Sequence, residues 1–577
     1  MSESRIHFTI SFCEPQAHYV EIEMDISGFP SGNLDLKMPV WTPGSYLIRE
    51  FARHIECLTA ESDNNLLQTV KQNKNTWRVV NHEGSAKISY RVYGFEASVR
   101  TNFINIDHAF LSPAATFLYP DGYIDHPSTV TINLPAQWTT VSTGLPRLSK
   151  DIHLYQADNF DILFDSPIEI GNQDTWQFEA AGVQHEFAMV GGGNYDKRRL
   201  TEDITRIVEE ETAIWGENPN RNYVFITHNY QTGSGGLEHL NSTVLGASRN
   251  AYQSDTAYKN FLSLVAHEYF HLWNVKRLRP AALGPFNYNE ENYTEGLWIM
   301  EGFTAYYDNL VIRRCGLLSV EEYLNMLATE FNLVYNRPGY RIQSAALASF
   351  DTWIKQYRPD ENTPNTSISY YNKGAMLAAA LDVQIIAGTN GQKRLDDVLR
   401  AAYAHFFKAE NRGFEEQEFA ALAEAITGVD LSDIFEAAHS VAELDYNFYF
   451  NKVGYELVDL LHDSTELSLG IRTTNQDGRI IIKHVERGSG AWDAGLNVDD
   501  ELIAINGNRA DTAGKELEFL LNHGKVDDIA DIMVARDGLI RIIHTPLRKT
   551  TKQQWAIQEK KNASEQERDL GRIWLSA

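Results

Sequence analysis

Cysteine is scarce in this chain. Cys13, Cys57 and Cys315 are the only three in 577 residues, an odd and widely spaced set with no CxxC pair, so no disulfide framework is implied. Basic residues are also in deficit, 51 Lys and Arg against 78 Asp and Glu. The formal charge of −27 argues against nucleic acid or an anionic membrane as partner, since both need basic patches. No run of 18 apolar residues occurs, and the opening Met1-Ser2-Glu3-Ser4-Arg5-Ile6-His7 lacks a charged stretch followed by an apolar one, so a cytoplasmic protein is expected. What is present is 43% apolar residues with 11% aromatics, enough for several cores, in a chain long enough for more than one domain.

The most informative five residues are His267-Glu268-Tyr269-Phe270-His271, an HExxH pattern that continues the run Phe261-Leu262-Ser263-Leu264-Val265-Ala266. On a helix, residues i and i+4 share a face, so both imidazoles can reach one tetrahedral Zn²⁺ while Glu268 addresses the metal-bound water. A buried helix with two carbonyl-satisfied histidines would show the same five letters, so the rest of the ligand set has to be found elsewhere.

Two histidines and a water leave one protein ligand missing. Glu290 has 18 residues between it and His271, the familiar gluzincin spacing, but it lies with Glu291 in Gly284-Pro285-Phe286-Asn287-Tyr288-Asn289-Glu290-Glu291-Asn292-Tyr293, a stretch of turn formers and polar groups. Glu301 instead stands between Leu297-Trp298-Ile299-Met300 and Gly302-Phe303-Thr304-Ala305-Tyr306-Tyr307, a carboxylate on an otherwise apolar helix. Such a charge demands a partner, and a metal supplies it, so Glu301 is preferred to Glu290, Glu291 and Glu295. Asp308, two turns on, is placed to orient a ligand imidazole.

Three further segments give a resemblance. Trp298-Ile299-Met300-Glu301-Gly302-Phe303 resembles the WxxEGF helix of gluzincin aminopeptidases, whose Glu is the third zinc ligand. Gly235-Gly236-Leu237-Glu238-His239 resembles their GxMEN element, which implies that Glu238 grips the free α-amine of the substrate beside Gly235 and Gly236. Tyr371-Asn372-Lys373-Gly374-Ala375 resembles their YxKGA segment, which implies that Tyr371 donates to the tetrahedral oxyanion, with Tyr370 as the alternative. Met38-Pro39-Val40-Trp41-Thr42-Pro43-Gly44-Ser45-Tyr46 and Trp273-Asn274-Val275-Lys276-Arg277-Leu278-Arg279-Pro280 are similar to segments of the glycyl aminopeptidase family, a PDZ-bearing branch of the gluzincins. In that branch the spacer to the third ligand exceeds 18 residues, in keeping with the 29 between His271 and Glu301.

A multidomain α+β architecture is expected. Residues 1–170 alternate at period two (Ile6, Phe8, Ile10, Phe12; Val20, Ile22, Met24, Ile26; Ile88, Tyr90, Val92), which predicts an N-terminal antiparallel β-sandwich or saddle. Residues 171–458 mix helix and strand in an order that resembles the thermolysin-like catalytic fold, with a helical second half. Gly191-Gly192-Gly193 lacks a GxxxxGK pattern and reads as a turn. Residues 459–548 resemble a PDZ domain through Leu467-Ser468-Leu469-Gly470-Ile471, Ala491-Trp492-Asp493-Ala494-Gly495-Leu496 and Asp500-Glu501-Leu502-Ile503-Ala504-Ile505-Asn506-Gly507. That resemblance implies capture of a peptide C-terminus at Leu469, Gly470 and Ile471, or a fixed lid on the catalytic domain. Residues 549–577 form a charged tail with Trp555 and Trp574, free or packed back on the body.

The expected function is therefore a zinc aminopeptidase, one Zn²⁺ per chain held by His267, His271 and Glu301, with Glu268 as general base. The resemblance implies small first residues, Gly or Ala, on peptides with a free N-terminus. A zinc endopeptidase fed by the PDZ domain and a non-enzymatic PDZ protein with a vestigial site are the competing readings, and a His₂Glu set accepts several divalent ions.

Overall fold

Alternation does what period two requires at the N-terminus: Ile6, Phe8 and Ile10 of the strand Arg5–Ser11 are buried, as are Val20, Ile22, Met24 and Ile26 of Tyr19–Ser27. These two strands pair antiparallel inside a seven-stranded sheet, in the order 154–157, 128–132, 5–11, 19–27, 85–93, 55–62, 65–67. One pairing, Arg5–Ser11 with Ser128–Ile132, is parallel. Two four-stranded sheets complete this unit, and one of them carries Ile168–Gly171 between Ala109–Leu111 and Thr140–Thr143. The computed structural model describes residues 4–576.

The texture then changes to a five-stranded sheet in which Val183–Val190, Asn222–Tyr230 and Ser242–Ser248 run parallel, flanked by the antiparallel edge strands Asp174–Ala180 and Gly235–Glu238. Near-continuous apolar runs such as Tyr223–Ile226 are what strands covered on both faces require. Gly191-Gly192-Gly193, all at positive φ, turns the chain out of Val183–Val190.

The helices Lys197–Trp215 and Asp255–Phe270 pack against this sheet, Leu297–Arg314 packs on those two, and Tyr370–Gly388 packs on Leu297–Arg314. Asp255–Phe270 is started by Ser254, whose side chain accepts from Ala257 N, a cap worth about 1 kcal/mol. Leu297–Arg314 buries residues all round, from Leu297, Trp298, Ile299 and Met300 to Leu310 and Val311, so it is a core helix rather than an amphipathic one. It crosses Tyr370–Gly388 at Gly302 and Gly374, where a Cβ on either residue would strike the backbone of the other helix. Ala at Gly302 would force the two helices apart, at a cost of about 1–3 kcal/mol.

The C-terminal unit is a sheet ordered 471–476, 479–485, 501–505, 529–536, 539–546 around Leu469, Ile482, Leu502, Ile532 and Val534. Ile471–Gln476 is its edge strand, hydrogen-bonded on one side only. The unit docks on the catalytic body through Asn365, whose side chain donates to Val485 O (2.9 Å) and accepts from Arg487 N (2.9 Å). The last segment is embedded rather than loose. Trp555–Glu559 pairs with Tyr455–Asp459, and the helix Glu565–Leu575 buries Trp574, whose indole Nε1 donates to the Tyr306 hydroxyl (2.9 Å) on the far side of Leu297–Arg314. No described helix is long and apolar enough to cross a membrane.

Candidate active site

His267 lies in the last turn of Asp255–Phe270 and His271 caps it, so the i, i+4 spacing brings the two rings to 4.7 Å, nearly perpendicular. Glu301 enters from the first turns of Leu297–Arg314. Its Oε2 is 3.5 Å from His267 Nε2 and 3.2 Å from His271 Nε2, three donors aimed at a common point from two helices. The outward nitrogens are fixed as well: His267 Nδ1 faces Asp308 Oδ2 at 3.2 Å, and His271 Nδ1 is 2.7 Å from the Asn274 carbonyl. Asn274 in turn donates to the carbonyls of Ile299 and Met300 and to Thr304, tying the turn after His271 to the helix that carries Glu301. Glu290 is instead bonded by Asn287 in an exposed turn, and Glu295 lies beside His439, away from the histidines.

Glu268 is buried, its Oε2 has no hydrogen-bond partner, and its carboxylate lies so close to Gly236 that any Cβ there would collide with it. Gly235 and Gly236 belong to the edge strand that ends at Glu238, so the backbone of this strand and the helix carrying Glu268 face each other across the cleft. At Glu238 a loop of the N-terminal unit closes in. A Cβ on Gly44, at φ +81°, would stand 2.5 Å from Glu238 Oε1, itself buried and unpartnered. The loop is held by buried Trp41, whose indole donates to Asn287 O (2.8 Å), and by the Tyr357 hydroxyl, which donates to Gly44 O (3.3 Å).

Tyr371, in the first turn of Tyr370–Gly388, lies parallel to His267 at 6.2 Å between ring centres and lines the cleft. Tyr370 does not line it; its hydroxyl is shared with Thr352 (2.9 Å). The cleft has a volume of about 560 Å³ and brings Gly44, Gly236, Glu238, Glu268, Glu301 and Tyr371 to one wall or another. Arg100, from the N-terminal unit, donates to Gly236 O at 3.1 Å and also lines it. Gly44 and Asn274 fall in segments that carry the family resemblance but no local pattern gives either a role, and none marks Arg100 or Tyr357, since each acts across more than one element.

The electrostatics favour a cation. Burial pushes Glu268 up to about 7, His267 opposes that rise, and the nearby Glu238 adds to it. Burial pushes Glu301 the same way, but His271 and His267 outweigh it and hold the carboxyl at about 2. Burial lowers the proton affinity of His267, yet Asp308 and Glu301 raise it well above its ordinary value. Five buried carboxylates, Glu211, Glu238, Glu268, Glu301 and Asp308, thus lie around two imidazoles, and both Glu211 oxygens, Glu238 Oε1, Glu268 Oε2 and Asp308 Oδ1 have no partner. Buried negative charge of this density calls for a positive ion, and His₂Glu with a fourth position open to a cleft is the donor set of a catalytic divalent metal. The residues fit one.

Residues 7–172 match the Peptidase M61 N-terminal domain, residues 260–377 the M61 glycyl aminopeptidase family and residues 468–547 the PDZ domain. The chain carries both M61 domains and a PDZ domain. Residues 260–377, which carry His267, Glu268, His271 and Glu301, are thus similar to a peptidase domain. A crystal structure of an aminopeptidase N family protein from Idiomarina loihiensis is 28% identical, with 99% of this chain and 100% of that one covered and a TM-score of 0.92. An M1 zinc metallopeptidase from Deinococcus radiodurans is 12% identical over 76% of this chain and 94% of its own, with a TM-score of 0.47. No curated protein matches the chain. In the C-terminal unit, Leu469 is buried, Gly470 takes φ +78° with its amide bonded to Ser468 Oγ (2.9 Å), and Ile471 begins the free edge strand.

Proposed function

We propose that the protein is a zinc aminopeptidase that removes a small N-terminal residue, Gly or Ala, from peptides. The observation that carries the reading is the approach of His267, His271 and Glu301 to one point, with Glu268 beside it and Gly236 opposite. A bound Zn²⁺ would supply a Lewis acid and lower the pKa of a coordinated water toward neutrality.

The chain's own groups do the rest. Glu268 is the general base, and its burial favours both taking a proton from the attacking water and returning it to the leaving amine near pH 7. Tyr371 donates its hydroxyl to the oxygen that becomes negative as the carbonyl turns tetrahedral; burial raises its pKa well above the ordinary tyrosine value, so it stays a donor. Glu238 binds the substrate ammonium, and Gly235 and Gly236 let the peptide backbone come close. Gly44 and the loop around it close the space beyond Glu238, which favours a substrate that ends there over one that continues. In this reading residues 1–170 wall the amine end, residues 171–458 with 549–577 hold the chemistry, and 459–548 offer the edge strand Ile471–Gln476 to a peptide C-terminus.

The test is release of arylamine from a panel of aminoacyl-arylamides and from their N-acetylated forms. Gly and Ala substrates should be cleaved, acetylation should abolish cleavage, and a chelator should remove it. Equal turnover of the acetylated forms would favour an endopeptidase and overturn the role of Glu238.

A further inference from the structure

A second group of two imidazoles and one carboxylate lies outside the cleft, where the N-terminal unit meets the catalytic sheet. His108 precedes the strand Ala109–Leu111, Glu169 is on Ile168–Gly171, and His228 is on Asn222–Tyr230. Glu169 is completely buried, His228 nearly so, and His108 mostly so. Glu169 Oε1 is 2.8 Å from His108 Nδ1 and Oε2 is 2.9 Å from His228 Nε2, with all donor atoms within 4.8 Å of one another. Each carboxylate oxygen thus faces one imidazole nitrogen. We propose that this cluster is a second divalent-metal site, of the zinc type, that pins the N-terminal unit to the catalytic sheet.

Donor atoms bound to one zinc at about 2.1 Å in tetrahedral geometry stand roughly 3.4 Å apart. Here each imidazole nitrogen is 2.8 or 2.9 Å from its carboxylate oxygen, so a shift of about half an ångström at each ring would admit an ion in place of the shared protons. The surroundings are built for the cluster. Any Cβ on Gly171 would run into the His108 side chain and the Asp107 carbonyl, so the strand bearing Glu169 must be bare there for His108 to reach it. Gln173 donates to Glu169 O and Ser142, while its own Oε1 is buried and unpartnered within the same neighbourhood. His228 Nδ1, the nitrogen turned away from Glu169, faces the Tyr230 hydroxyl at 3.4 Å, the kind of outer contact that fixes a ligand imidazole. A cavity of about 770 Å³, lined by His108, Gln173, His228 and Tyr230 among others, gives an ion a way in and room for water ligands.

The role assigned is structural. Unlike the cleft, this cluster has no free carboxylate placed as a base and no glycine-lined strand for a peptide; its ligands come from two units and join them. It is independent of the peptidase reading, because its readout is metal content and position.

The test is metal analysis of the full chain loaded with Zn²⁺ and desalted. Wild type should hold two equivalents, and Glu169→Gln and His108→Ala should each hold one while still cleaving substrate. Anomalous scattering at the zinc edge from wild-type crystals should show a peak between His108, Glu169 and His228 as well as one at His267, which covers the case in which a variant fails to fold. One equivalent in wild type, with no anomalous peak at Glu169, would overturn the proposal and leave a carboxylate shared by two imidazoles through protons alone.

Discussion

The chain assembles two imidazoles and a glutamate twice, once on helices and once on strands, and the two clusters differ in everything except their donors. At His267, His271 and Glu301 the far imidazole nitrogens are held by Asp308 and Asn274, and five carboxylate oxygens nearby, both of Glu211 and one each of Glu238, Glu268 and Asp308, are left without partners. At His108, Glu169 and His228 both carboxylate oxygens are already engaged by the histidines. The first arrangement leaves unmet demand facing a cleft, which is what chemistry on a bound molecule needs. The second closes on itself, which is what holding two units together needs.

Substitutions separate the two. Glu268→Gln should lower kcat by about 10²–10⁴ while metal content at both clusters stays that of wild type, read by steady-state kinetics and metal analysis on one preparation. Metal loss with this variant would mean that Glu268 is a ligand rather than a base. Tyr371→Phe should lower kcat by about 10²–10³ with KM nearly unchanged, the mark of a contact made only in the transition state; a change in KM alone would reassign Tyr371 to substrate binding. Asp308→Asn should weaken metal binding at His267 by about 10–100-fold, measured by competition with a chromogenic chelator, and leave the Glu169 cluster as it was. The smallest effect is expected for Gly44→Ala, whose Cβ would crowd Glu238: KM for a free-amine substrate should rise by about tenfold with kcat little altered, and an unchanged KM would remove the N-terminal loop from the amine site.

The same contrast explains what could be read from the chain. The i, i+4 spacing of His267 and His271 is a local signal, and Glu301 stands out in the sequence because it is a carboxylate in the apolar first turns of Leu297–Arg314. Period-two burial in Arg5–Ser11 and Tyr19–Ser27 likewise needs only neighbouring residues. The parallel pairing of Arg5–Ser11 with Ser128–Ile132 joins strands more than a hundred residues apart, and the alternation predicts only an antiparallel arrangement. Gly44 beside Glu238, Arg100 on Gly236 O and Asn274 on Met300 O join residues that no spacing relates. His108, Glu169 and His228 are the extreme case, three single residues scattered over the chain with only the folded topology to collect them. In the sequence Trp574 is only a tryptophan in a charged segment; its place against Tyr306, on the helix that carries Glu301, is a property of packing.

The most direct measurement is a zinc titration of chelator-stripped protein, with cleavage of a glycyl-arylamide as the readout, run beside Glu301→Gln. Activity should be absent at the start, return as zinc is added, and require at least about 10²-fold more zinc in the variant, since one of three protein ligands is gone. Full activity in the stripped protein, or a Glu301→Gln protein that titrates like wild type, would contradict the convergence of the two helices on one catalytic ion.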